Sequence, residues 1–89
     1  PLRILEVSAP ALKAGSWGWL LVKVSGRGKV LVEVVGDVEY LSAEEHVDGE
    51  CLVEVAVKPK IAGEVPVKVV AKGEGFEASK LAWLRVEAG

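Results

Sequence analysis

The chain has 89 residues, 51% of them apolar and 27% charged, with a net charge of −2 and a single cysteine. That length holds one core and no second domain, the apolar fraction excludes a disordered segment, and one thiol excludes an intrachain disulfide. Basic residues are spread along the chain rather than clustered, which argues against a nucleic-acid partner, and no uninterrupted apolar run of about 18 residues offers a membrane span.

Asparagine, glutamine, threonine and methionine are all absent, while glutamate, lysine and valine abound. Missing amides with many Glu and Lys fit a protein from a hot environment, and without asparagine no N-glycosylation sequon exists. The sequence begins at Pro1 with no initiator methionine, so the segment reads as a domain excised or processed from a longer chain.

Period-two alternation predicts seven short strands: residues 2–8 (LRILEVS), 16–25 (SWGWLLVKVS), 29–35 (KVLVEVV), 37–41 (DVEYL), 51–58 (CLVEVAVK), 64–72 (EVPVKVVAK) and 80–87 (KLAWLRVE). Ala9-Pro10, Gly26-Arg27-Gly28, Gly36-Asp37, Asp48-Gly49, Pro59–Gly63 and the run from Gly73 to Ser79 read as the turns between them. Residues 42–47 (SAEEHV) lack strand character and read as a loop or one 3₁₀ turn. Strands at this spacing in an all-β chain favour a two-sheet antiparallel sandwich of immunoglobulin-like type, with a small closed barrel as the alternative.

Side chains alternate faces along a strand, so charged residues mark the outer face. By that rule Leu20, Val22, Val24, Val30, Val32, Val34, Cys51, Val53, Val55, Val57, Val65, Val67, Val69 and Ala71 point inward. The same rule leaves Trp17, Trp19, Leu21, Leu31, Val35, Leu81 and Trp83 on the parity of Lys23, Glu33 and Arg85. Three outcomes are open for the indoles. A bulge at Gly18 turns one inward, a loop or the N-terminal strand covers them, or they form an exposed apolar patch that meets a partner. Trp17, Trp19, Leu21, Leu31, Val35 and Trp83 are the candidate interaction residues.

Catalytic chemistry finds no foothold. No serine sits in a nucleophile elbow, and the only histidine, His46, lacks the partners of a triad. The run EEHVDGE at 44–50 offers oxygen ligands around one imidazole without zinc spacing or an EF-hand pattern, and reads as an acidic, water-facing loop. The glycines of GRGK and GEGF lead into strands, not into the helix a phosphate loop needs. Cys51 reads as a small buried hydrophobe. No cofactor or metal is expected.

The stretch GSWGWLLVKVSGRGKVLVEV, with Gly15 before the strand and Gly28 in the following turn, resembles immunoglobulin-like modules of microbial surface proteins, including the cell-adhesion-related (CARDB-type) domains. The later GECLVEVAVKPKIAGEVPVKVVA is similar to the ending of those modules. The resemblance implies a non-catalytic spacer, adhesion or assembly module of a larger protein, with an extracellular or cell-surface location. It carries over no functional residue. The expected partner is protein, either a neighbouring domain or a second copy, through a tryptophan-bearing sheet face or an edge strand. Pro66, which can give no ladder hydrogen bond, hints that its side of the strand at 64–72 is an edge or a bulge. The alternative is a carbohydrate-binding accessory module, in which indoles stack on sugar rings.

Overall fold

In the computed structural model, which describes residues 1–89, the elements are β1 (Arg3–Ser8), β2 (Leu12–Lys13), β3 (Gly18–Gly36), β4 (Val38–Leu41), β5 (Ala43–Pro59), β6 (Gly63–Gly73) and β7 (Phe76–Glu87). There is no helix. The two strands expected at 16–25 and 29–35 are one strand, β3. Of the expected loop at 42–47, all but Ser42 belongs to β5. Strand β7 begins at Phe76, directly after Glu74-Gly75.

Strands β3 and β5 pair antiparallel over almost their whole length, from Gly18↔Val57 to Val32↔Ala43. A straight 19-residue strand spans roughly 60 Å at about 3.3 Å per residue, yet the longest dimension of the molecule is 38 Å. The β3–β5 ribbon is therefore folded over, its first half lying in one layer and its second half in the other. In the first layer β1 pairs with residues 21–25 of β3 and β4 pairs with residues 56–59 of β5. In the second layer β6 pairs with residues 31–36 of β3, β7 pairs with β6, and β2 adds parallel to the end of β7.

The fold-over occurs where Gly26 opposes Gly49. Gly28 and Gly49 have φ of +103° and +96°, a region costly for residues with a Cβ. The turns expected at 26–28 and at 48–49 are thus this crossing; the flexibility that glycine supplies bends a paired ribbon instead of reversing a single chain. Even-numbered residues stay buried on both sides of it, from Leu20 to Val34, because folding a ribbon keeps the same face inside. The Leu2 side chain covers the bare inward slot at Gly26.

Eighteen buried residues form one core between the layers, contributed by β2, β3, β4, β5, β6 and β7. Nearly all are valine or leucine, the β-branched and aliphatic side chains that suit a pleated surface. No polar or charged residue is buried. A bulge does occur, but in β1 and not at Gly18: Leu5 has no partner between Ile4↔Val24 and Glu6↔Lys23. It brings Ile4 and Val7, which simple alternation places on opposite faces, opposite the buried Val24 and Val22. Cys51 is half-buried opposite Val24, packed against the core but not sealed in it.

Strand β6 is interior to its layer, but at Pro66 the side facing β3 is locally open. The β3–β6 ladder ends at Gly36↔Val67, so Pro66 stands one residue past the last β3 partner while β7 continues beside it at Trp83. A missing donor costs no ladder bond on a side where pairing has stopped.

Candidate interaction surface

Parity and pairing decide which apolar residues reach solvent. Trp17, Trp19 and Trp83 are 51%, 53% and 69% exposed. Neither a bulge nor a covering segment hides any of them. The reason lies in β3 itself: Leu20 is sealed in the core, so Trp19 on one side of it has only the outer face. Gly18 allows close packing of Leu12 beneath, since a Cβ there would lie 2.7 Å from Leu12 Cδ2.

Trp19 opposes Ala56 of β5, and Ala56 opposes Leu41 of β4. This row of three, joined by Trp17 and Gly18, lines a shallow recess of about 270 Å³ on the outer face of the first layer. Ala56 makes the recess, because a small side chain sits between two large ones. Leu21, one row further, is half-buried between Ser8 and Glu54.

Leu31, Val35 and Trp83 lie on the outer face of the other layer. Leu31 is half-buried between Glu44 and Lys72. Val35 shares a row with Lys68 and Leu81. Trp83 opposes Pro66 in the next row, and Leu81 is the most exposed large hydrophobic of the chain at 76%. The six candidate residues therefore form two separate surfaces, one per layer. Leu41 and Leu52, both exposed, were not among the candidates. Their signal was present in the sequence, since Leu41 shares the parity of Glu39, and Leu52 that of Glu54 and Lys58.

Ion pairs surround these patches. Along the fold-over, Lys23, Arg27 and Lys29 of β3 meet Glu50, Asp48 and Glu44 of β5 at 3.6, 3.3 and 3.8 Å. Each exposed pair is worth little, but a slip by one residue would move the series to the wrong face. The ladder thus pins register where glycines supply no packing. It also occupies three of the carboxylates in the run 44–50. On the second layer Lys72 Nζ lies 2.9 Å from Glu33 Oε1; the hydrogen bond to Glu33, then its charge, holds the ammonium above the usual lysine value of 10.5.

No family model matches the sequence, and no curated protein matches it. Among solved structures, a chimeric titin Z1Z2 functionalized with a KLER exogenous peptide from decorin is similar with a TM-score of 0.56 and 15% identity, over 99% of this chain and 95% of that one. An ASH/PapD-like domain of human CEP192 (PapD-like domain 7) is similar with a TM-score of 0.54 and 10% identity, over 98% of this chain and 84% of that one. Together with the folded ribbon and its single core, these define an immunoglobulin-like β-sandwich domain. At such identity the likeness extends to the fold alone.

Proposed function

We propose that this domain is a non-catalytic protein-interaction module of a larger protein, and that it docks against another protein domain through the Trp17–Trp19 face. The observation that carries this reading is the recess between Trp17, Trp19, Leu41 and Ala56. Two half-exposed indoles beside an apolar depression are the anchor chemistry of protein interfaces, where tryptophan is enriched at the energetic centre. The resemblance of the strand and turn spacing to CARDB-type modules and the amide-free, Glu/Lys-rich composition are what favour a parent protein at a cell surface in a hot environment, while the structural neighbours speak for the immunoglobulin-like fold alone.

The carbohydrate reading is the weaker one. Sugar recognition needs polar groups beside the stacking ring, and the recess is lined by Trp17, Gly18, Trp19, Leu41 and Ala56 alone. The test is a titration of tryptophan emission with the domains that flank this one in its full-length chain, and in parallel with oligosaccharides. A blue shift with a flanking domain, lost in Trp17→Ala/Trp19→Ala, supports the reading. Quenching by oligosaccharides alone replaces it with the glycan reading, and no response to either overturns both.

A further inference from the structure

A second observation, independent of the Trp17–Trp19 face, concerns the edge of β7. The carbonyl of Glu87 accepts a bond from Ala14 N–H at 2.9 Å, on the β2 side. A residue of an antiparallel ladder directs its N–H and C=O to the same side, and alternate residues direct theirs oppositely. The β6–β7 ladder runs without a register shift from Gly63↔Val86 to Gly73↔Phe76. Glu77, Ser79, Leu81, Trp83 and Arg85 therefore direct their backbone groups away from β6. On that side β2 covers only Val86 and Glu87, and β1 approaches β7 without pairing.

The other open edges carry devices that discourage pairing. Strand β4 has four residues, β1 is bulged at Leu5, and the free edge of β5 at 43–50 bears Glu44, Glu45, Asp48 and Glu50. Strand β7 has neither bulge nor like-charged run, and it carries Leu81 and Trp83, the two most exposed large hydrophobics.

We propose that a second copy of this chain pairs antiparallel with the open edge of β7 about a two-fold axis at Leu81. The open stretch from Glu77 to Arg85, bounded by the Glu74-Gly75 turn and by β2, has Leu81 at its centre. In that register Glu77 of each copy opposes Arg85 of the other, Ser79 opposes Trp83, and Leu81 meets Leu81. Lys80, the one charge on the inward parity, opposes the small Ala82. Moving the axis to Lys80 sets lysine against lysine, and moving it to Ala82 sets Glu77 against Glu87. Only the Leu81 register matches opposite charges at both ends. Arg85 also reaches Glu64 and Glu87 of its own chain at 3.2 and 3.6 Å, on a face the pairing leaves open. An edge contact of this kind is small, and belongs with weak, concentration-dependent association.

Sedimentation and light scattering across micromolar to millimolar protein test it. A monomer–dimer equilibrium is expected, with the Glu77, Ser79, Leu81, Trp83 and Arg85 amides gaining hydrogen-exchange protection as the dimer forms. Leu81→Pro removes an N–H that the monomer does not use in its own ladder and should abolish the dimer while the circular dichroism of the fold persists. Arg85→Glu should weaken it roughly tenfold by opposing like charges twice, and Glu77→Arg/Arg85→Glu should restore it. A chain that stays monomeric at millimolar concentration overturns the proposal, as does failure of the charge swap to restore pairing. A dimer that survives Leu81→Pro but not Trp17→Ala/Trp19→Ala also overturns it, and leaves the Trp17–Trp19 face as the contact.

Discussion

Gly26 of β3 lies directly opposite Gly49 of β5, at the point where both strands leave one layer of the sandwich and enter the other. Two facing residues without Cβ atoms let the ribbon fold sharply without losing its pairing partner. The first half of β3 then pairs with β1 and the second half with β6, both on the side away from β5, while β4 joins the first layer on the β5 side.

Because the space beside Gly49 and Gly28 is open, the cost of an alanine there is backbone strain rather than collision. Gly49→Ala and Gly28→Ala are each expected to destabilise the domain by about 1–3 kcal/mol. Urea unfolding followed by circular dichroism measures this, with an unchanged m-value indicating that the fold persists.

Adjacent residues of β3 should respond in opposite ways. Leu20 is fully buried and Trp19 half-exposed. Leu20→Ala is expected to cost about 2–5 kcal/mol through lost burial and a residual cavity, whereas Trp19→Ala, which gives up only the covered half of its indole and leaves no cavity, should cost about 1 kcal/mol. Equal losses in the two variants would mean that the indole belongs to the core.

All three tryptophans reach solvent, so the folded monomer should emit close to the wavelength of indole in water. Iodide and acrylamide should both quench it efficiently, and unfolding in denaturant should shift the maximum only slightly. A strongly blue-shifted native spectrum at low protein concentration would contradict this arrangement.

The pH dependence of one pair has a definite sign. With Glu33 holding Lys72 above 10.5, folded and unfolded chains are both protonated below that value, and the pair's contribution is complete there. It is lost as pH rises through the raised value. The difference in melting temperature between the wild type and Glu33→Gln should be constant through neutral and mildly alkaline pH, then shrink above about 10.5. Loss of the difference between pH 7 and 9 would assign it to another group.

What the sequence by itself determined is the face of the side chains along β3, along β5 from Cys51 onward and along most of β6; the bulge at Leu5, which brings both Ile4 and Val7 to the buried side, lay outside it. Alternation of valine with charge marked Leu20, Val22, Val24, Val53, Val55, Val57, Val65, Val67 and Val69 as interior, and all are buried. It also put Trp17, Trp19 and Trp83 on the outer parity. Facing is a local property, repeated every two residues by the geometry of an extended backbone, so it is legible without knowing any partner strand. Only the tertiary structure decided that Gly26-Arg27-Gly28 and Asp48-Gly49 are halves of one fold-over, that Glu44–Val47 is strand, and that the candidate residues divide between two surfaces. Glycine signals that the backbone is free to bend; whether it reverses or crosses between layers depends on a strand some twenty residues away that pairs alongside it. That long-range pairing, and not any local preference, turned an expected turn into the spine of the sandwich and set Trp19 across Ala56 from Leu41.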